Sequence, residues 1–178
     1  MSGTISSDME NSNQLQTAHT LVIGYGNPDR QDDGLAWHVL VNLAKRLGRP
    51  LPDGPEEGFL PENLNPDLWF VLQLTPEMAS DFSRYERLCF VDAHTGDLPQ
   101  EILLRPVEGS PAASAFTHHF TPASSLAIVQ TLYHCHPEAV LLSLRGSVFG
   151  FSRELSAPAS ELVGPAVDLL LNWLGTSL

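Results

Sequence analysis

The fold is decided by residues 20–36, which read TLVIGYGNPDRQDDGLA. A short apolar, β-branched run ends at Gly24, a pattern that is typical of a buried strand. A turn-rich segment with a second glycine and paired aspartates follows it. From Gly34 onward, apolar residues recur at helical spacing as far as Leu47, and Gly48 ends that helix. The stretch therefore predicts a strand, a tight loop and a helix in succession.

The same alternation of strand and helix continues along the chain. Further strands are predicted at 69–74, 88–92, 101–107 and 139–144, and further helices at 76–85 (with Thr75 as N-cap), 122–134 and 159–174. Three of the strands are apolar on both faces, which is typical of parallel strands covered by helices on both sides. Pro106 places its strand nearer an edge. We therefore predict a three-layer α/β fold with a twisted, mostly parallel five-stranded sheet and helices on both faces.

Length, charge and composition limit the possible classes of protein. A chain of 178 residues suits one domain, and we expect a disordered N-terminal tail over residues 1–18 and a single α/β domain over 19–178. The 21 acidic against 9 basic residues, a formal net charge of -12, argue against a nucleic-acid binder and against an anionic membrane surface as partner. No apolar stretch approaches the roughly 20 residues of a membrane span, and the polar N-terminus lacks signal-peptide features. We expect a monomer in the cytoplasm.

The two cysteines do not form a disulfide framework. Cys89 lies in an apolar run and is predicted to be a small core residue. Cys135 lies between His134 and His136, which suggests either a metal site or a helix end. Adjacent residues on a helix point in different directions, so the helix end is favoured.

Acidic and imidazole side chains follow several predicted strands. In parallel sheets, ligands bind at the carboxyl ends of the strands. Asp32 and Asp33 follow the first strand, Asp92 ends the third, and His118 and His119 precede the helix at 122–134. Carboxylates and an imidazole together suit a divalent transition ion such as zinc or nickel, with positions left open for an exchangeable ligand. A purely structural alternative stays open, since paired acids also stabilise a helix N-terminus and a loop histidine also serves as a polar contact.

The glycines after the first strand also suggest a dinucleotide site, but weakly. The third glycine of the G-x-G-x-x-G pattern falls at Asp29, and two carboxylates at this place repel a pyrophosphate. Gly24 and Gly26 are better explained by a tight turn with positive φ. A nucleotide-binding regulator is therefore disfavoured.

At these residues the chain resembles the hydrogenase maturation endopeptidases, which trim the C-terminus of the large subunit of nickel–iron hydrogenases. Three motifs carry the resemblance, in the family's order: Gly24-Tyr25-Gly26-Asn27 with Asp32-Asp33-Gly34, then Val91-Asp92-Ala93, then Thr117-His118 before a helix. The likeness extends from about Thr20 to Leu174. It implies a mostly parallel sheet between helices and an endopeptidase that acts on a hydrogenase large-subunit precursor.

The resemblance also implies roles for individual residues. Asp33, Asp92 and His118 match the metal-binding residues, with His119 as the fallback, and Asp32 is a candidate for orienting Asp33 or accepting a proton. The resemblance further implies that the metal is nickel carried by the precursor, with cadmium or zinc as other ions that suit the site. A bound divalent ion polarises a carbonyl and lowers the pKa of its water, and no serine or cysteine nucleophile motif competes with this chemistry. The alternative is a non-catalytic metal-binding or chaperone-like module for hydrogenase assembly.

The chain departs from the family pattern after its second strand. Many members carry D-G-G-T there, and Gln73 or Glu77 is the candidate replacement for the missing aspartate. Residues 51–83 contain no lysine or arginine and include Asp53, Glu56, Glu57, Glu62 and Asp67. This segment predicts either an acidic rim that attracts a cationic partner surface or a solvated acidic loop.

Overall fold

The computed structural model describes residues 19–96, 98–110 and 120–175, so the predicted N-terminal tail lies outside it. The strands are β1 (Thr20–Tyr25), β2 (Asp67–Val71), β3 (Arg87–His94), β4 (Ile102–Pro106) and β5 (Glu138–Arg145). They form a sheet in the order β2-β1-β3-β5-β4, in which only β4 is antiparallel to its neighbour. The predicted mostly parallel sheet is confirmed, with the proline-containing strand at its edge.

Helices cover both faces of this sheet. They are α1 (Leu35–Arg46), α2 (Ala79–Phe82), α3 (Pro122–Tyr133) and α4 (Ala157–Leu174). Side chains alternate between the faces along each strand, as the period of two requires. Val22 and Val91 pack with α1 and α4, whereas Ile23 and Phe90 pack with α2 and α3. The predicted three layers are therefore confirmed.

The predicted helix at 76–85 is wrong in its extent. A 3-10 turn over Pro76–Met78 leads into the single turn α2, and Thr75 makes no side-chain cap hydrogen bond. Within residues 76–82 only Ala79 and Phe82 are buried, so one turn is enough to cover that part of the core. Tyr85 follows the turn, and its hydroxyl donates to Asp67 at the start of β2 (2.9 Å).

Both cysteine predictions are confirmed. Cys89 is fully buried in the core. α3 ends at Tyr133, and His134 adopts a left-handed conformation there (φ 55°), so Cys135 follows a helix end.

The connections between strands place a crevice at one point of the sheet. From β1 the chain passes through α1 to β2 on one side, whereas from β3 it leads through β4 and α3 to β5 on the other side. β1 and β3 are neighbours, so the chain leaves their carboxyl ends in opposite directions. Such a switch point is where open α/β sheets bind ligands. Among the helices described, none combines the length and apolar character needed to cross a bilayer.

Candidate active site

The loop after β1 folds back on itself through its glycines. Gly26 has φ +140°, and a Cβ there would lie 2.1 Å from the carbonyl oxygen of Asp33. A Cβ on Gly34 would lie 2.8 Å from the Cα of Pro28. The backbone N–H of Asn27 donates to Oδ2 of Asp33 (3.0 Å). These close approaches hold Asp33, which is partly exposed, at the carboxyl end of β1.

The Asp32 side chain lies inside the protein, unlike that of the partly exposed Asp33. Its side chain is fully buried and accepts four hydrogen bonds. Oδ2 accepts from the N–H groups of Ser147 (2.8 Å) and Val148 (2.9 Å) and from the Ser156 hydroxyl (2.7 Å), and Oδ1 accepts from the Ser156 N–H (2.8 Å). Burial by itself raises the pKa of Asp32, but the hydrogen bonds from Ser156, Ser147 and Val148 outweigh it and lower the pKa. Asp32 is thus an ionised anchor.

The anchored segment, residues 146–156, is a wall loop beside the site. Its Ser152 carbonyl accepts from the N–H of Gln31 (2.8 Å), and its Arg153 guanidinium donates to Asp29 (2.6 Å) and to Glu56. Phe151, in the middle of the wall loop, is 99% exposed. The loop is therefore tied to the first motif at several points while its aromatic side chain lies in solvent.

Asp92 lies at the carboxyl end of β3, next to Tyr25. Ile23 is opposite Phe90 and Gly24 is opposite Val91 in the parallel pair, so Tyr25 and Asp92 continue the register. The Asp92 carboxylate accepts hydrogen bonds from the Tyr25 hydroxyl and from the Ala93 N–H.

Burial raises the pKa of Asp92 to about 6, and the two hydrogen bonds only partly offset it. The negative charge of Asp33 raises this pKa further. The partial burial predicted for Asp92 is confirmed, and the structure brings Asp33 and Asp92 into one electrostatic neighbourhood.

The predicted imidazole ligands cannot be placed. His118 and His119 lie outside the described residues, and within the described ranges no group of three metal-ligating side chains occurs. α3 packs on the same face of the sheet as Tyr25. Its N-cap is Thr121, whose hydroxyl accepts a hydrogen bond from the Ser124 N–H (3.1 Å), and its first residue is Pro122. Gln73 and Glu77, the proposed replacements for the family aspartate, are both exposed after β2.

The acidic rim is not formed as a unit. Asp67 is buried and is the first residue of β2, so it lies at the amino ends of the parallel strands, whereas Asp33 lies at their carboxyl ends. It accepts hydrogen bonds from the N–H groups of Glu62 and Leu64 (both 2.9 Å) and from Tyr85. Glu56 forms an ion pair with Arg153. The predicted rim is wrong for Asp67, whose charge serves local structure, and Glu56 is already paired.

Solved structures share this architecture. The NiFe hydrogenase maturation protease HycI from Thermococcus kodakarensis superposes with a TM-score of 0.61 at 19% identity, covering 90% of this chain and 95% of that one. The hydrogenase maturating endopeptidase HybD from E. coli gives 0.61 at 17% identity, covering 88% and 91%. The chain has the fold of the NiFe hydrogenase maturation proteases. A hydrogenase 2 maturation peptidase from a Thaumarchaeota archaeon gives 0.59 at 23% identity, covering 89% and 99%.

The resemblance stated from the motifs is thereby confirmed at the level of the fold. No protein-family model and no curated protein sequence matches the chain. Nearly the full length of each solved maturation protease is covered by the comparison.

Sequence reasoning missed two features of the site. Tyr25 was considered only as the middle residue of the G-x-G turn, although a polar side chain at the end of a buried strand is itself a signal. The partners of Asp32 lie at least 115 positions away in the chain, so no local pattern could have identified them.

Proposed function

We propose that the chain is an endopeptidase that removes the C-terminal peptide from the large-subunit precursor of a nickel–iron hydrogenase. One observation carries this proposal: Asp33 and Asp92 come together at the switch point between β1 and β3, in a fold shared with maturation proteases. Two negatively charged carboxylates repel each other at the end of the sheet, and a bound cation removes that repulsion.

The cation in this proposal is the nickel ion already inserted in the precursor, and it is part of the substrate. Asp33 and Asp92 supply oxygen ligands to it, and His118, four positions before the first residue of α3, supplies an imidazole. Mixed oxygen and nitrogen donors suit nickel, and also zinc or cadmium as substitutes in vitro. Asp92 is ionised at neutral pH because its pKa of about 6 lies below that pH.

The residues of the chain bind and orient in this mechanism. By holding the nickel, Asp33 and Asp92 bring the scissile carbonyl of the same precursor to the crevice, where a divalent ion polarises it or activates a water. Asp32, whose oxygens already accept four hydrogen bonds, takes part by fixing the wall loop and not by accepting a proton.

The test is incubation of the purified chain with a hydrogenase large-subunit precursor, in nickel-loaded and nickel-free forms, followed by mass measurement of the precursor's C-terminus. Cleavage of the nickel-loaded form alone is the expected result. Equal cleavage of the nickel-free form would show that nickel is not recognised. Stable binding with no change of mass would identify the chain as a non-catalytic, chaperone-like module instead. The cytoplasmic location and the monomeric state stay predictions.

A further inference from the structure

Tyr25 is an aromatic residue whose polar end faces the site. It is the last residue of β1, and its ring packs against the core cluster shared by α2 and α3. Its hydroxyl donates a hydrogen bond to the carboxylate of Asp92, which is the neighbouring residue when the β1–β3 register is continued. The ring is thus fixed by packing, while the hydroxyl is fixed by Asp92.

The Asp92 carboxylate depends on such fixed donors for its orientation. An ionised carboxylate offers about four lone-pair positions, of which the Tyr25 hydroxyl and the Ala93 N–H use two. A tyrosine hydroxyl is protonated at neutral pH, so it acts as the donor towards an ionised carboxylate. These two donors leave the other acceptor positions of Asp92 unused, and the charge of Asp33 acts on the same carboxylate.

We propose that Tyr25 is a positioning residue, which holds the Asp92 carboxylate in the orientation that contacts the metal-bearing substrate. The inference rests on the proposed function, since it assigns Asp92 a direct contact. Donors behind a metal-contacting carboxylate typically change affinity or rate by about 10–100-fold when they are removed. We therefore expect Tyr25→Phe to lower kcat by about 10-fold.

The chain contains its own matched control at the other end of the parallel strands, at the start of β2. There the Tyr85 hydroxyl donates to Oδ2 of the buried Asp67 (2.9 Å), which is the same pair of residue types. Tyr85→Phe removes the same hydroxyl from the same kind of contact, far from Asp33 and Asp92. It therefore reproduces the loss of stability that follows from deleting a tyrosine–aspartate hydrogen bond, without touching the proposed site.

The experiment compares the wild-type chain with Tyr25→Phe and Tyr85→Phe by two measurements. The first is kcat for the nickel-loaded precursor, together with thermal unfolding of each variant. The second is the carboxyl ¹³C resonance of Asp92 and of Asp67, recorded for all three proteins at one pH about two units above the pKa of Asp92. The second measurement needs no substrate.

The proposal is supported if Tyr25→Phe lowers kcat by about 10-fold and shifts the Asp92 resonance. In the control, Tyr85→Phe should leave kcat within about 2-fold of the wild-type value and shift only the Asp67 resonance. An unchanged Asp92 resonance in Tyr25→Phe would overturn the proposal, as would equal kcat losses in both variants. If the wild-type chain cleaves and Tyr25→Phe cleaves equally fast, the positioning role fails while the proposed function stands. If the wild-type chain does not cleave, the proposed function fails, and the positioning role falls with it whatever the resonances show.

Discussion

Asp32 and Ser156 are joined by two hydrogen bonds across 124 positions of sequence, one from the Ser156 N–H (2.8 Å) and one from its hydroxyl (2.7 Å). The same hydroxyl accepts from the N–H of Ala159 and so caps α4. Asp32 also binds the start of the wall loop at Ser147 and Val148. A single carboxylate therefore connects the first motif, both ends of the wall loop and the start of α4.

We expect Asp32→Asn to lower the free energy of unfolding by about 3 kcal/mol, measured by urea denaturation. The amide has one acceptor oxygen and two added donors, so it cannot accept the four hydrogen bonds of the carboxylate. The control is Asp168→Asn, because Asp168 forms an exposed ion pair with Arg46 (3.1 Å). That change should cost less than about 1 kcal/mol. Equal losses in the two variants would contradict the role of Asp32 as an anchor.

The lowered pKa of Asp32 makes this contribution dependent on acid. A carboxyl whose pKa is lower in the folded than in the unfolded state stabilises the protein above the unfolded value, and the gain is lost as pH falls through the folded pKa. Denaturation from neutral pH downward should show a loss of stability below about pH 4 that is smaller in Asp32→Asn. An identical acid profile in both proteins would argue against the prediction.

Asp33→Asn and Asp92→Asn should each reduce cleavage of the nickel-loaded precursor by at least about 100-fold, since each removes a charged ligand of the proposed contact. Circular dichroism should show folded protein in both cases. Asp81→Asn is the control, because Asp81 is a surface aspartate beside Arg84 (3.9 Å) and should keep full activity. Retained cleavage in either site variant would remove that residue from the proposed ligand set.

The acid limb of the cleavage rate should lie near pH 6. Burial raises the pKa of Asp92 to about 6, and the protonated carboxyl is a poor ligand for a cation. The value of kcat/KM for the free enzyme should therefore fall by about half at the pKa and by about 10-fold for each pH unit below it. A rate that stays constant down to about pH 5 would show that ionised Asp92 is not required.

Gly26→Ala should destabilise the protein by at least about 3 kcal/mol, because φ is +140° and the added Cβ meets the Asp33 carbonyl oxygen at 2.1 Å. Gly48→Ala provides the comparison, since its φ is +65° and nothing lies within 4 Å of the added atom. That variant should lose about 1 kcal/mol from backbone conformation alone. Thermal or urea unfolding measures both, and similar losses would mean that the clash is relieved at little cost.

The layers and most strands could be predicted because they depend on local patterns. β3 and β5 are continuous apolar runs, and their alternate faces fill two separate cores. The short extent of α2 could not be predicted from helix propensity, because only its first and last residues, Ala79 and Phe82, are buried in the core. β2 begins at Asp67, two positions before the predicted strand, because Leu68 and Asp67 already pair with β1.

For the site, the sequence correctly predicted that Asp33 and Asp92 lie at the carboxyl ends of strands, and the structure shows that these two strands are neighbours. Residue type and spacing could not divide the roles of Asp32 and Asp33, and only the family resemblance distinguished the two. Only the tertiary structure shows that Asp32 is fully buried among donors and that Asp33 is partly exposed. The ligand role of His118 stays a prediction.

The two halves of the site come from opposite layers of the molecule. Asp33 leads into α1 on one face, whereas Tyr25 packs in the α2–α3 layer on the other face. A partly folded chain in which only one layer has docked therefore presents an incomplete constellation. In the proposed function, both layers must therefore have packed on the sheet before the site is complete.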